Sequence, residues 1–317
     1  VNQTQKRVEL AKLERVSWFN IAFQLRGSVI PAIVNRVILC GSFGCLISIL
    51  FYFKFPVSWN SLQNVVPSVV LGLLLVFRTN TAYERFWEGR KCWGSLVNSI
   101  RNLSRLMWVA IAEKHPQDRG EKIVALKLLV AFAVATKLHL RGQKIDSELE
   151  GLLPIGYSDY LKNANNSPLE IAYWIGDYLQ IKYEERALQL YQLNSLNNLL
   201  NNMVDVLGGC ERILKTPIPL AYAIHLKQLL LIYCLLLPLQ LVAELTWFTG
   251  PVVALISFTL FGVEEIGLEI ENPFGLDAND LPLDAICDTL KNNIQDLVNT
   301  APNQVNIYRL SDKPFYN

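Results

Sequence analysis

Histidine is scarce in this 317-residue chain, and charge is thin. His115, His139 and His225 lie far apart and lack metal-ligand spacing. No His–carboxylate or Cys–His pairing stands out, so the sequence offers no catalytic cluster and no enzyme is expected. The six cysteines (Cys40, Cys45, Cys92, Cys210, Cys234, Cys287) contain no Cys-x-x-Cys spacing, which argues against a disulfide or metal framework. Three of them sit in apolar runs, where cysteine behaves as a small hydrophobe. A glycine-rich phosphate loop, an internal repeat and a low-complexity tract are all missing. Formal net charge is +1, which leaves no strong field to recruit nucleic acid. Residues 1–36 carry Lys6, Arg7, Lys12, Arg15, Arg26 and Arg36 without a cleavable apolar core, so no signal peptide is expected.

What the chain has in excess is apolar surface, with 51% hydrophobic and only 18% charged residues. The surplus is concentrated in uncharged runs: 17 residues between Arg36 and Lys54, 23 from there to Arg78, 16 between Lys227 and Glu244, and 19 from there to Glu264. A helix needs about 20 residues to span the hydrocarbon core of a bilayer, with about 17 as a lower limit. The runs are borderline singly and persuasive as two pairs, predicting an all-α membrane protein with four transmembrane helices and a helical cytoplasmic bundle. Between the pairs, Arg85, Arg90, Lys91, Arg101, Arg105, Lys114, Arg119 and Lys122 mark a positive stretch. Placing it in the cytoplasm also places both termini there. A soluble protein with buried core helices would show shorter runs.

The organisation follows. Residues 1–36 form a cytoplasmic N-terminal amphipathic segment, with Val8, Leu10, Leu13, Val16, Trp18 and Phe19 among charges. Residues 37–106 hold the first crossing (37–53) and a long second helix (about 62–106) with a cytoplasmic extension. Residues 107–216 are a cytoplasmic helical region. Its helix over 121–140 is apolar but reads as too short and too charged to span. Short helices over 147–165 and 167–182 and a long amphipathic helix over 186–214 follow it. Residues 217–271 hold the third crossing and the fourth (about 245–263), with Glu264, Glu265, Glu269 and Glu271 behind it. Residues 272–317 form an acidic turn, a helix over 283–299 and a tail ending in Tyr316 and Asn317.

The second helix carries the most information. An apolar half from Val65 to Phe77 runs without a break into Arg78-Thr79-Asn80-Thr81-Ala82-Tyr83-Glu84-Arg85-Phe86-Trp87-Glu88-Gly89-Arg90. Val69, Leu73 and Phe77 recur at i, i+4 and i+8 on one face. Ser68 and Gly72 beside them allow close helix approach. Aligned around an axis by several subunits, this face would form an apolar constriction that gates by dewetting. An aromatic ring edge there would favour anions. The same spacing equally describes a stripe facing lipid or a neighbouring helix. In the charged half, Glu88 lies three residues from both Arg85 and Lys91, so local ion pairs are available. Unpaired cations there would concentrate anions at a pore mouth.

Three motifs in order resemble the bestrophin family, especially its bacterial and chloroplast branches. They are Phe77-Arg78-Thr79-Asn80 through Arg85-Phe86-Trp87-Glu88-Gly89-Arg90-Lys91-Cys92-Trp93-Gly94, then Thr216-Pro217-Ile218-Pro219-Leu220-Ala221-Tyr222, then Asn272-Pro273-Phe274-Gly275. With the four-helix topology, the resemblance covers nearly the whole chain. It implies a homopentameric channel with one central pore, whose hydrophobic neck maps onto Val69, Leu73 and Phe77. Arg85, Trp87, Glu88, Arg90, Trp93, Pro217 and Pro219 become the structural signature. A second constriction on the long cytoplasmic helix falls at Asn194 or a neighbour. Animal members hold Ca²⁺ after Asn-Pro-Phe-Gly, and Asn272, Asp277 and Asp280 fall on similar positions. Leu276, Ala278 and Asn279 interrupt the acidic run, however, so no cofactor is expected to be required and Ca²⁺ is not favoured. The resemblance implies passive conduction of small monovalent anions, chloride first and bicarbonate second, in a bacterial inner membrane or a thylakoid membrane. A monovalent cation channel and a non-conducting membrane scaffold are the alternatives. Lipid, the permeant ions and further copies of the chain are the expected partners.

Overall fold

Residues 20, 22–59, 65–154 and 156–299 are described by a computed structural model, and every regular element among them is helical. The N-terminal amphipathic segment falls mostly outside the described residues, and the tail ending in Tyr316 and Asn317 falls wholly outside them. The helices are α1 (Ile30–Tyr52), α2 (Val65–Ala110), α3 (Asp118–Leu140), α4 (Ser147–Glu150), α5 (Tyr157–Lys162), α6 (Ser167–Glu184), α7 (Leu190–Lys215), α8 (Leu220–Leu245), α9 (Thr249–Glu269) and α10 (Leu283–Asn299). They divide into two compact units. Of the described residues, unit 1 comprises those up to Glu84, Ile218–Glu271 and Asp277–Asn279; unit 2 comprises Arg85–Pro217, Asn272–Leu276 and those from Asp280 onward. The division falls within α2.

Unit 1 is built on α1, the first part of α2, α8 and α9. Pro31 in the first turn of α1 pre-sets helical φ where its missing N–H is not needed, so the helix starts at Ile30. Arg36 therefore lies inside the helix, not ahead of a helix beginning at residue 37. Likewise α9 runs to Glu269, so Glu264 and Glu265 are helical and do not follow a helix ending at 263. Each charge is tolerated because the other is there: Arg36 Nη1 lies 3.1 Å from Glu265 and 3.4 Å from Glu264.

The α1–α9 contact is backbone-close. α1 buries Ile33, Cys40, Gly41, Gly44, Ile47 and Ser48. A Cβ on Gly44 would stand 2.9 Å from Gly250 Cα, and one on Gly41 would stand 3.0 Å from Ala254 Cβ. Small residues let the backbones approach, which is how apolar helices gain contact where no hydrophobic effect drives them together. A 3₁₀ turn, Thr246–Phe248, joins α8 to α9. Ser48 Oγ donates to the Thr246 carbonyl at 2.9 Å and to Gly44 O at 3.0 Å. The unit's apolar cluster draws on all four helices, including Ile33, Leu75, Leu230, Cys234 and Val253.

Unit 2 is a conventional helical core around α3. At 23 residues α3 is long and apolar enough to cross a bilayer, which corrects the expectation that it is too short. It is nonetheless buried almost all round from Ala125 to Leu138, with α6 and α10 among its neighbours. Its two buried lysines are paired. Lys122 Nζ donates to the Ile111 carbonyl at 2.7 Å and to Glu113 at 2.9 Å, and Lys137 Nζ bridges Glu148 at 2.7 Å and Asp284 at 2.8 Å. α7 buries Leu193, Leu196, Leu200, Met203, Leu207 and Cys210, and α10 buries Leu283, Cys287, Leu290 and Ile294.

Candidate functional site

Along α2 one buried seam runs through Leu71, Leu75, Arg78, Ala82, Gly89, Trp93, Leu96, Ile100, Leu103 and Met107, with Ser99, Ser104 and Trp108 buried beside it. These steps of three, four and seven keep one seam inward on a helix of 3.6 residues per turn. Val69 and Leu73 fall opposite that seam, and Phe77 lies about 40° further round, at 100° per residue. All three are uncovered, at 54%, 52% and 62% exposure. Val70 and Val76 beside them are exposed as well. A Cβ on Gly72 would meet nothing within 4 Å. One turn beyond the apolar stripe, Asn80 Nδ2 donates to Glu84 at 3.0 Å on the exposed side.

Arg78, counted from sequence among the cations near the apolar half, sits on the buried seam. Only 2% of its side chain is accessible, and its Nη2 lies 2.8 Å from Glu271, whose other oxygen accepts from the Ile218 N–H at 3.0 Å. It is therefore an anchor for the entry to α8. Gly267 makes room for its stem, since a Cβ there would stand 3.3 Å from Arg78 Cγ.

The signature residues of unit 2 come together. Arg85 donates to the Thr216 carbonyl and, at 2.6 Å, to the Ile213 carbonyl, satisfying the last turn of α7 where unpaired carbonyls and the negative dipole end favour a cation. Glu88 pairs with Arg212 of α7 at 2.6 Å. The local pairs expected with Arg85 and Lys91 are thus replaced by contacts across helices, because Arg85 is taken by the α7 terminus. Gly89 is the seat of Pro273-Phe274: a Cβ there would stand 2.8 Å from Pro273 Cγ and 3.1 Å from the Phe274 ring. Phe274 is buried, and Arg141 Nε donates to the Phe274 and Gly275 carbonyls at 3.3 and 3.2 Å. Trp93 is fully buried, whereas Trp87 and Arg90 are exposed, with Lys91 Nζ 5.9 Å from the Trp87 ring centre. Pro217 ends the first segment of this unit, and Pro219 in unit 1 precedes the first residue of α8.

The remaining candidates separate. Asn194 is exposed on α7 next to buried Leu193. Asn272 Oδ1 accepts from the Phe274 N–H at 3.3 Å, and Leu281 N–H donates to the Pro273 carbonyl at 2.9 Å, so the turn is closed by its own groups. Asp280 lies against Gly275 in unit 2, while Asp277 belongs to unit 1 and is exposed. Among the described residues no group of three or more His, Cys, Asp or Glu is placed to hold a metal ion. Sequence reasoning missed the Cys92–Cys210 pair in unit 2. Their hydrogen bond brings the Cys92 thiol down to about 7, and the same bond together with burial pushes the Cys210 thiol up.

The profile of the bacterial/fungal bestrophin protein family matches residues 11–296. The chain belongs to the bestrophin family. A voltage-dependent anion channel-forming protein from Nostoc sp. is 65% identical over 90% of this chain and 93% of its own length. One of the same description from Synechocystis sp. is 56% identical with the same coverage. The crystal structure of a bacterial bestrophin homolog from Klebsiella pneumoniae superposes with a TM-score of 0.77 at 30% identity, covering 85% of this chain and all of that one. Family and apolar helices together make this bestrophin a membrane protein.

Proposed function

We propose that the chain forms a passive channel for small monovalent anions, chloride and then bicarbonate, through a homopentameric pore with a hydrophobic neck. The observation that supports it most is the uncovered face of α2. Val69, Leu73 and Phe77 are exposed on a helix whose opposite seam is buried along most of its length. Relatives at 65% and 56% identity carry the description of voltage-dependent anion channel-forming proteins. Closed cyclic symmetry would place the same face of every copy on one axis. In this reading α1, the first half of α2, α8 and α9 are the four crossings, with both termini on the cytoplasmic side of a bacterial inner or thylakoid membrane. Asn194 on α7 is the candidate second constriction. No cofactor is required. The self-closed turn at Asn272 and Asp280 supports a structural role over a Ca²⁺ clasp.

The test is planar bilayer recording of purified protein under a KCl gradient, with Ca²⁺ present and chelated. A reversal potential on the chloride side, unaffected by Ca²⁺, is expected. Reversal on the potassium side would establish the cation channel, a reading left open by a neck in which two of three residues are neutral aliphatics with no preference for either sign. Absence of current would leave a scaffold. For the neck itself, Leu73→Ala widens the constriction and raises conductance or open probability; unaltered currents would remove Leu73 from the pore.

A further inference from the structure

Three helices of unit 1 line an open cavity of about 320 Å³ that includes none of the proposed neck residues. Arg36, Lys227 and Glu264 line one end of it, and Leu39, Leu231 and Phe261 line the other. The order is the same on every wall. Leu39 lies three residues beyond Arg36 on α1, Leu231 four beyond Lys227 on α8, and Phe261 three before Glu264 on α9. The cavity thus passes from charged to apolar within about one helical turn, roughly 5 Å. That is the profile of an amphiphile with a charged head and a hydrocarbon chain.

The sign of the head follows from which charges are spent. Glu264 is buried, with 3% of its side chain accessible, while Arg36 and Lys227 are 46% and 55% accessible. Arg36 engages Glu264 and Glu265 through a single nitrogen, Nη1, and leaves the rest of its fork unused. Lys227 Nζ is 3.8 Å from Glu264, an ion pair too long for a hydrogen bond. Glu264 thus sits behind two half-exposed cations and holds them in place without using up their donors. Glu264 and Glu265 formally balance the two cations, so an anion is attracted by exposed donors and not by net charge. Lys227, whose side chain is 55% accessible and whose ammonium is too far from Glu264 for a hydrogen bond, supplies most of them.

We infer that this cavity binds an anionic phospholipid, with its phosphate between Arg36 and Lys227 and the start of an acyl chain against Leu39, Leu231 and Phe261. The inference rests on unit 1 lying in the membrane and is independent of which ion passes. A phosphocholine head brings its own ammonium towards the two cations and is disfavoured; a phosphatidylglycerol head brings none.

The test is native mass spectrometry of the whole protein in mixed micelles holding equal phosphatidylglycerol and phosphatidylcholine. Phosphatidylglycerol is expected to be retained in preference. Lys227→Gln, at a half-exposed position, is expected to lower its retention about fivefold, the effect of one basic residue near an anionic headgroup. Leu231→Trp fills the apolar end and lowers it too, whereas Lys291→Gln on α10 of unit 2 leaves it unchanged. Free glycerol 3-phosphate does not compete, because it lacks the chain. Equal retention of the two lipids, full retention by Lys227→Gln, or displacement by glycerol 3-phosphate would each overturn the site. Lipid retention by a protein that passes no current would refute the channel and leave this site standing.

Discussion

α1 and α3 are both 23 residues long and their most apolar stretches are nearly equal in hydropathy, yet those stretches have opposite surroundings. In the most apolar stretch of each, 33% of α1 is buried and 78% of α3. α1 makes its contacts through glycines and leaves Ile38, Leu39 and Leu46 exposed. α3 is enclosed by long side chains and carries Asp118, Lys122 and Lys137 with partners for each. Hydropathy therefore reports how apolar a helix is and is silent on what surrounds it. The discriminating marks are the exposed leucines on one helix and the paired charges on the other.

The strongest way to break this comparison is to remove the same atoms from each helix. Leu129 of α3 is fully buried, so Leu129→Ala is expected to destabilise by about 3 kcal/mol through lost burial and a residual cavity. Leu46 of α1 is 50% exposed, and Leu46→Ala is expected to stay within about 0.5 kcal/mol in detergent, as at other uncovered positions. Thermal unfolding of the two variants checks this. Equal losses would mean that α1 is covered in the protein as it exists in solution.

A smaller effect sharpens the difference in packing style. Gly44 faces Gly250 Cα at 2.9 Å from where its Cβ would be, so Gly44→Ala must force two backbones apart, at about 1–3 kcal/mol. Gly120 of α3 faces nothing within 4 Å, and Gly120→Ala is expected to stabilise by up to about 1 kcal/mol through helix propensity. Melting temperatures moving in opposite directions would bear out both assignments; a shared direction would refute one.

The elements whose neighbours are nearby in sequence were legible from sequence. The last helix, expected over 283–299, is found as Leu283–Asn299 because Leu283, Cys287, Leu290 and Ile294 recur at helical spacing. The alignment of Val69, Leu73 and Phe77 on one face needed only their spacing. What could not be read was pairing across long separations. Arg78 meets Glu271, Arg85 meets the end of α7, and Arg36 meets Glu264 and Glu265. Each of these charges looks like a helix boundary or a surface cation until its distant partner is placed. That is why the first crossing was expected to begin after Arg36 and the fourth to end before Glu264. The joining of Gly89 to Pro273-Phe274 was hidden for the same reason, although both motifs were recognised.

The smallest expected effect concerns acid. The backbone N–H groups of His115 and Lys114 donate to Asp118 at 2.8 and 2.7 Å and, with Lys182, bring its carboxyl down to about 2. A carboxylate whose folded pKa lies below its unfolded value, about 4, contributes stability that is fully present above about pH 4. That contribution is lost as pH falls towards 2. Trp108, near the start of α3 through its contacts with Arg119 and Lys122, is a local reporter. Its fluorescence should shift between pH 4 and 2 in the unaltered protein. Asp118→Asn, read by the same signal, should be less stable at neutral pH and flatter in acid. An Asp118→Asn variant with an unaltered acid slope would transfer the sensitivity to other carboxylates of unit 2, Asp284 first, since its bonds to Lys137 and Arg141 also hold it below the ordinary range.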